Sequence, residues 1–156
     1  MKLTLSKEET VSLGMRLYLD GHNCGEATST ALMRALGYNT DLFPRAGTVL
    51  GGGFGGEHRY QCGALSSGIL AAGAALGRNH PDDDRQPAYD FATQFTKDFE
   101  TQFSSIYCYE IVGLPPASGD EWNVPYRQQN KRQERCVNFV RYALEHWYDM
   151  AEKALK

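Results

Sequence analysis

The sequence predicts an all-α fold, a bundle of about five to six helices that forms a single domain over residues 1–156. Two patterns and the size of the chain support this prediction. Apolar residues recur at helical spacing in most segments, and runs that alternate strictly between apolar and polar residues are nearly absent. With 156 residues, of which 42% are hydrophobic, the chain can enclose one hydrophobic core.

Capping residues predict where the first two helices begin. Ser6 is followed three residues later by Glu9, and Asn23 suits the N-cap of the second helix. Gly21 and Gly37 are the predicted ends. The buried faces are predicted to hold Val11, Met15, Tyr18 and Leu19 in the first helix, and Cys24, Ala27, Thr28, Ala31, Leu32 and Ala35 in the second.

A third and a fourth helix are predicted in the middle of the chain, joined by a glycine-rich loop. The third helix, from Asp41 to Leu50, leads into the glycine-rich residues 51–56, which form the sharpest break in the sequence. The fourth helix runs from about Tyr60 to Leu76. Its inner stripe is predicted to hold Cys62, Leu65, Ser66, Ile69, Leu70, Gly73 and Leu76.

Two further helices are predicted in the second half of the chain. Pro87 suits the first turn of a long helix that breaks near Ser104, just before Cys108. This helix carries phenylalanines at four-residue steps, at positions 91, 95, 99 and 103, and the stripe is predicted to pack in the core. A loop rich in proline and glycine is predicted from residue 113 to residue 130. The inner face of the final helix is predicted to hold Cys136, Val140, Ala143, Trp147, Met150 and Ala154, with Cys136 near its beginning.

Charge and hydropathy argue against several classes of partner. The 19 acidic and 16 basic residues are interspersed, so there is no extended positive field to attract nucleic acid or anionic lipid. The longest uncharged run, residues 60–77, is shorter and less apolar than the ~20 residues a membrane span needs. Acidic residues stand where a secretory signal would be apolar, so the expected compartment is the cytoplasm. The many small and aromatic residues are compatible with a homodimer.

The four cysteines are the residues from which we predict function. In a reducing cytoplasm they are not expected to form permanent disulfides, so they either fill the core or carry chemistry. Three of them, Cys24, Cys62 and Cys136, each fall in the first turns of a predicted helix. Unpaired N–H groups and the helix dipole at such a position lower the pKa of a thiol and favour metal ligation. Cys108 lies beside a predicted helix break. If these helix ends meet, the four thiols share one site.

The usual local signatures of cysteine and nucleotide sites are absent. There is no Cys-x-x-Cys pair, so neither a zinc ribbon nor a thioredoxin-like motif is present. His22 and His58 lie close in sequence to Cys24 and Cys62, which allows a mixed sulfur and nitrogen metal site, although a solvated surface position is more common for each histidine.

The glycine-rich loop is expected to shape the site rather than to bind a nucleotide. Gly51, Gly53 and Gly56 match G-x-G-x-x-G, but a predicted helix precedes the loop and no βαβ unit surrounds it. We expect the glycines to let the backbone pass close to the Cys62 helix, forming a pocket or admitting a small anion. Gly53, Gly55 and Gly56 are therefore predicted to bind a cofactor together with the cysteines.

These motifs resemble a known family. The features that carry the resemblance are the pair Asn23-Cys24, the glycine run, the segment Cys62-Gly63-Ala64-Leu65-Ser66-Ser67-Gly68, and then Cys108 and Cys136. They are similar to the redox-active family named for its Cys-Gly-Ala-x-x-Gly motif and four spaced cysteines. The resemblance covers about residues 20–145. It implies a helical domain found largely in anaerobic bacteria and archaea, with the four cysteines as functional positions. A similar domain in split-Soret cytochromes is associated with an iron–sulfur cluster, whereas this chain lacks the Cys-x-x-Cys-His that attaches haem.

Three functions follow from the residues and the resemblance. The first is electron transfer to or from an unidentified redox partner, through an iron–sulfur or other metal centre ligated by Cys24, Cys62, Cys108 and Cys136. The second is a metal-free thiol/disulfide oxidoreductase in which Cys62 is the low-pKa nucleophile and a neighbouring cysteine resolves the product. The third is a structural zinc site or an interaction domain without a cofactor.

Overall fold

The chain is helical along most of its length in a computed structural model that describes residues 2–156. Within that range there are eight α-helices and one π-helical turn, and no β-strand forms. The elements are α1 (Lys7–Leu19), α2 (Cys24–Ala35), α3 (Leu42–Thr48), α4 (Gly63–Leu76), α5 (Gln86–Phe103), α6 (Cys108–Val112), α7 (Gly119–Gln128), the π-helical turn Arg132–Cys136 and α8 (Val137–Ala154). The predicted all-α class is confirmed, but the predicted number of helices is too low. By length and hydropathy, none of the helices between residues 2 and 156 could span a bilayer.

Reciprocal capping fixes the first residues of α1 and α2, as predicted. The Ser6 hydroxyl accepts a hydrogen bond from the Glu9 N–H at 3.2 Å, and the Glu9 carboxylate accepts one from the Ser6 N–H at 2.8 Å. Asn23 and Glu26 form the same pair at the start of α2, with both distances 2.9 Å. Each box pairs two backbone donors that would otherwise lack partners. Cys24, the first residue of α2, is therefore held at a defined position.

Helix α2 lies at the centre of the bundle, where it packs against α1, α3, α4 and α8. Its predicted inner face is confirmed apart from Cys24, which is half-buried: the other predicted positions, Ala27, Thr28, Ala31, Leu32 and Ala35, are all buried. In α1 the prediction holds for Met15 and Tyr18, but Leu19 is 57% exposed. Successive residues of a helix differ by about 100° in direction. Because Tyr18 points inward in the last turn, Leu19 turns toward solvent.

The buried face of α4 differs from the predicted stripe. Its buried residues are Gly63, Ala64, Leu65, Ser67, Gly68, Ala71 and Ala72. Leu70, by contrast, is 44% exposed. A Cβ built on Gly68 would lie 2.2 Å from the ring of Phe95 in α5. The Trp147 indole N–H of α8 also donates to the Gly68 carbonyl at 2.9 Å. Small residues therefore face the neighbouring helices, because only they allow such close approach.

The phenylalanine stripe of α5 is confirmed as core packing. Phe91, Phe95 and Phe99 are buried. Phe103 is partly buried, with its ring centroid 4.8 Å from that of Phe139 in α8. The stripe therefore attaches α5 to α8 through aromatic contacts.

The segment between α6 and the π-helical turn contains a helix where the sequence predicted a loop. Helix α7 carries Asp120 and Glu121 in its first turn, where carboxylates complement the helix dipole, and Pro125 lies inside it. An interior proline costs about 3 kcal/mol. Burial of a tryptophan removes ~150–250 Å² from water, worth roughly 4–6 kcal/mol. Trp122 is 2% exposed, so its burial outweighs the cost of the proline.

Candidate functional site

All four cysteines line one cavity of about 280 Å³, at the lower end of the ~300–1,000 Å³ range of ligand pockets. We refer to it as the cysteine cavity. It is lined by Cys24, Cys62, Cys108, Cys136, Tyr18, Asn23, Gly52, His58, Ile111, Val112, Trp122, Asn123, Tyr126, Arg132 and Phe139. All four cysteines are free thiols. The fold thus brings together thiols that lie up to 112 positions apart in the sequence.

The starts of α2, α4 and α6 position three of the thiols. Cys24 opens α2, Cys62 is the residue before α4, and Cys108 opens α6. Two backbone hydrogen bonds join the last two helix starts. The Cys62 N–H donates to the Ile106 carbonyl, and the Cys108 N–H donates to the Tyr60 carbonyl, each at 2.8 Å. This short antiparallel contact holds Cys62 and Cys108 in register.

Cys136 does not begin a helix, so the predicted effect of a free helix N-terminus on this thiol is absent. It is the last residue of the π-helical turn, which continues directly into α8. Cys108 instead occupies a helix start, which the sequence had indicated only as a break. A single π-turn inside a helical stretch is often found at functional sites. Here it contributes Arg132 and Cys136, its first and last residues, to the cavity lining.

The glycine-rich loop packs closely against the site, as expected. A Cβ on Gly53, whose φ is 56°, would lie 2.7 Å from the Cβ of Cys108. A Cβ on Gly51 would lie 2.4 Å from the Asn23 side chain. Gly55 and Gly56 have nothing within 4 Å of such a Cβ, and the loop residue that lines the cavity is Gly52. A cofactor contact from Gly53, Gly55 or Gly56 stays a prediction.

Cys24 and Cys62 interact side chain to side chain. Both line the cysteine cavity, and the Cys62 side chain is the largest cause of the lowered pKa of Cys24. A Cβ on Gly63, the residue after Cys62, would lie 2.8 Å from the Cys24 sulfur. This glycine therefore allows the start of α4 to approach Cys24.

The pair has strongly unequal acidities. Interaction with the Cys62 thiol lowers the pKa of Cys24 against the opposing effect of burial, and the backbone N–H groups of Gly52, Gly25 and Gly63 lower it further. The same interaction, together with burial, raises the pKa of Cys62 well above its usual value. The predicted low pKa of Cys62 is therefore wrong, and the low-pKa thiol of the pair is Cys24. Cys24 holds the first negative charge of the pair.

The other two thiols favour the protonated state. Burial raises the pKa of Cys108 well above the usual thiol value. Burial also raises the pKa of Cys136 to about 12, although the Tyr126 hydroxyl donates a hydrogen bond to its sulfur at 3.3 Å. Near neutral pH, Cys24 is therefore the thiolate of the cavity.

An aromatic wall that sequence reasoning missed closes one side of the cavity. The His58 ring stacks on Trp122, with centroids 3.8 Å apart and an interplanar angle of 4°. The His58 Nδ1–H donates to the Ala117 carbonyl at 2.8 Å, and burial lowers the pKa of His58, which favours the neutral ring. The surface position expected for His58 is wrong, because the ring is half-buried. Trp122 and Tyr126 were hidden in the predicted loop, where their aromatic character was the available signal.

No three His, Cys, Asp or Glu side chains within residues 2–156 cluster closely enough to hold a single metal ion. The four thiols still surround one cavity, so a polynuclear centre would have to span it from several sides. His22 does not line the cavity, which removes one of the two nitrogen donors considered for a mixed site. Metal ligation by the cysteines stays a prediction.

The fold and the site define an all-α protein with a four-cysteine cavity. The chain belongs to the family described as "Putative redox-active protein (C_GCAxxG_C_C)", whose sequence model matches residues 22–150. The match includes all four cysteines, so the resemblance seen in the sequence is confirmed. No match was found among curated proteins or among solved structures. The family description supports a redox role in general terms.

Proposed function

We propose that this protein is a metal-free thiol/disulfide redox protein in which Cys24 and Cys62 form a reversible disulfide. The observation that supports it most strongly is the closeness of the two thiols: a Cβ on Gly63, the residue after Cys62, would lie 2.8 Å from the Cys24 sulfur. They stand at the adjoining starts of α2 and α4, which pack against each other. A disulfide needs two cysteines whose Cβ atoms are about 3.5–4.5 Å apart. Neighbouring thiols at packed helix starts need little backbone movement to reach that geometry.

The unequal pKa values of Cys24 and Cys62 fit two different roles in thiol–disulfide exchange. The attacking sulfur must be a thiolate, and the optimal attacking thiol has a pKa near the ambient pH. Cys24 meets this requirement because three backbone N–H groups and the Cys62 thiol stabilise its charge. Cys62 stays protonated beside it and acts second. We therefore assign the attacking role to Cys24 and the resolving role to Cys62.

The reaction balances with an external disulfide, RSSR, as the oxidant. The Cys24 thiolate attacks one sulfur of RSSR, the S–S bond breaks, and one RS⁻ leaves from the mixed disulfide. Cys62 then loses its proton and attacks the Cys24 sulfur, which releases the second RS⁻. One leaving thiolate takes the Cys62 proton and the other takes a proton from water. Two electrons pass from the protein dithiol to RSSR, and an external dithiol returns the protein to its reduced form.

An iron–sulfur centre is the second candidate, and one observation favours it. All four cysteines line the same cavity, and Cys108 and Cys136 have no part in the dithiol scheme. A cluster would be held by the four thiolates and would supply one-electron transfer. Binding would require Cys108 and Cys136 to lose their protons, at a cost set by their raised pKa values.

Serine variants of the four cysteines separate the two candidates. Reduced protein is mixed anaerobically with bis(2-hydroxyethyl) disulfide, and the released thiol is counted per protein. The proposal predicts two thiols from the wild type, one from Cys62→Ser, and very slow release from Cys24→Ser. Cys108→Ser and Cys136→Ser serve as matched controls and should behave as the wild type.

Reconstitution with iron and sulfide provides the second arm. A cluster predicts bound iron and acid-labile sulfide in the wild type and loss of both in every one of the four variants. If this result is found, and bis(2-hydroxyethyl) disulfide releases no stoichiometric thiol, the iron–sulfur cluster replaces the dithiol proposal.

A further inference from the structure

Arg132 is the cationic side chain of the cysteine cavity, and the fold holds its guanidinium in a fixed orientation. One terminal nitrogen donates to the carbonyl oxygens of Tyr18 and His22, the latter at 2.9 Å. The guanidinium carbon lies 3.9 Å from the centroid of the Tyr18 ring. The Tyr18 carbonyl belongs to the last turn of α1 and the His22 carbonyl lies just after that helix, so the contacts also cap α1. The charge is therefore positioned before any ligand arrives.

Within residues 2–156, the guanidinium of Arg132 has no carboxylate partner. No carboxylate lies within 4.0 Å of its nitrogen atoms, and the cavity lining contains neither Asp nor Glu. Both of its hydrogen bonds come from the same terminal nitrogen. A guanidinium has five N–H donors in a planar fork, so donors on its other nitrogens are free to bind an anion. Capping of α1 alone does not account for a cation in the lining of this cavity.

The rest of the cavity suits a small molecule with an apolar middle. Ile111, Val112, Trp122 and Phe139 are at most 5% exposed and supply apolar walls. At about 280 Å³ the cavity is too small for a folded partner or a long peptide. A ligand that meets both the Cys24 sulfur and Arg132 must carry its reactive group and its charge a few bonds apart.

We infer that the substrate of the cysteine cavity is a small anionic disulfide, one carboxylate of which pairs with Arg132 while its S–S bond meets Cys24. This inference rests on the proposed exchange at Cys24 and Cys62. The reaction is the one given above, with RSSR a disulfide of two short carboxylic acids and RS⁻ the released thiol carboxylate. Bidentate pairing of guanidinium with carboxylate would orient the S–S bond toward the thiolate.

Binding can be tested without any redox step by using adipate. Adipate replaces the S–S unit of dithiodiglycolate by two methylene groups and keeps both carboxylates. In the wild type, adipate should slow the alkylation of Cys24 by iodoacetamide, measured by mass spectrometry of the tryptic peptide of residues 17–34. Hexane-1,6-diol, which has the same chain without charge, should give little protection. Equal protection by the two compounds would overturn the inference.

A charge-matched pair of variants tests the role of Arg132 itself. Arg132→Gln should weaken protection by adipate about tenfold, as expected when a charged hydrogen bond is lost. Arg135→Gln removes the same charge from an exposed position three residues away and should change protection by less than about twofold. Full protection in Arg132→Gln would contradict the inference. The comparison of adipate with the diol needs no variant, so it decides the matter even if Arg132→Gln fails to fold.

Rates with charged disulfides complete the test. The ratio of the oxidation rate with dithiodiglycolate to the rate with cystamine should fall about tenfold in Arg132→Gln and stay constant in Arg135→Gln. If adipate protects Cys24 but no Cys24–Cys62 disulfide forms, the anion site stands and the exchange function fails. If the Cys24–Cys62 disulfide forms readily but neither the ratio of rates nor the protection by adipate changes in Arg132→Gln, the proposed function stands and the substrate class is wrong.

Discussion

Gly63→Ala places one methyl group between the helix starts that carry Cys24 and Cys62. Its Cβ would lie 2.5 Å from the carbonyl oxygen of Leu50 and 2.8 Å from the Cys24 sulfur. The first contact is with backbone, so rotation of a side chain cannot relieve it. The start of α4 would have to move away from Leu50 and Cys24. We expect the variant to separate the two thiols as well as to destabilise the fold.

The size of the effect follows from two opposing contributions. Overpacking a buried site costs about 1–3 kcal/mol. Replacing glycine by alanine in a helix gains about 0.5–1 kcal/mol. The net loss for Gly63→Ala is therefore between about 0 and 2.5 kcal/mol, with a central value of about 1 kcal/mol, or roughly 2–4 °C in Tm for a chain of this length. Gly73→Ala lies in the same helix, with nothing within 4 Å of its Cβ, and should gain about 0.5–1 kcal/mol.

Urea denaturation and thiol release together provide the assay. Gly63→Ala should lose stability and should form the Cys24–Cys62 disulfide more slowly, whereas Gly73→Ala should match or exceed the wild type in both measurements. If Gly63→Ala were as stable as Gly73→Ala and formed the disulfide at the wild-type rate, the close contact between α4 and Cys24 would be refuted.

Two further predictions concern the charge on Cys24. Because the pKa of Cys24 is lowered in the folded protein, its thiolate is present above that pKa and is lost as the pH falls through it. The midpoint of the Cys24 alkylation rate against pH should therefore lie below the usual thiol value of ~8.5. Cys62→Ala removes the largest cause of the shift and should move this midpoint upward; an unchanged midpoint would contradict the assignment. Asn23→Ala should cost about 1 kcal/mol and also alter the alkylation rate, because it uncaps the helix that begins at Cys24. Ser6→Ala should cost a similar amount by denaturation but leave that rate unchanged; equal rates in the two variants would show that the cap does not position Cys24.

Signals confined to a few neighbouring residues made much of the fold predictable. The capping boxes at Ser6 and Asn23 and the four-residue spacing of the phenylalanines in α5 are complete within one or two helical turns. Such signals do not depend on tertiary contacts, so the starts of α1 and α2 and the aromatic face of α5 were predicted correctly. The family resemblance rested on the cysteine spacings and the Cys62-Gly63-Ala64 motif, which are likewise readable along the chain.

The features that failed depend on contacts distant in sequence. Helix α7 is favoured by the burial of Trp122 against His58, 64 positions earlier in the chain, which outweighs the local effect of Pro125. The acidity order of Cys24 and Cys62 depends first on the interaction between the two thiols, and then on backbone N–H groups that include those of Gly52 and Gly63, far from Cys24 in the sequence. No helix-start argument separates the two thiols. The inward face of α4 was predicted correctly at Cys62 and Leu65, which are buried, but close approach of neighbouring helices selected small residues for the rest of that face rather than Leu70.

Disulfide mapping of the oxidised wild-type protein tests the central claim most directly. The four cysteines fall in four different tryptic peptides, residues 17–34, 60–78, 98–127 and 136–141, so each pairing has its own mass. Reduced protein is treated with one equivalent of bis(2-hydroxyethyl) disulfide, its remaining thiols are alkylated, and the peptides are quantified. The account predicts that peptides 17–34 and 60–78 are linked in most molecules, while the other two carry alkylated Cys108 and Cys136. Dominance of any other pairing, or oxidation without a protein disulfide, would contradict it.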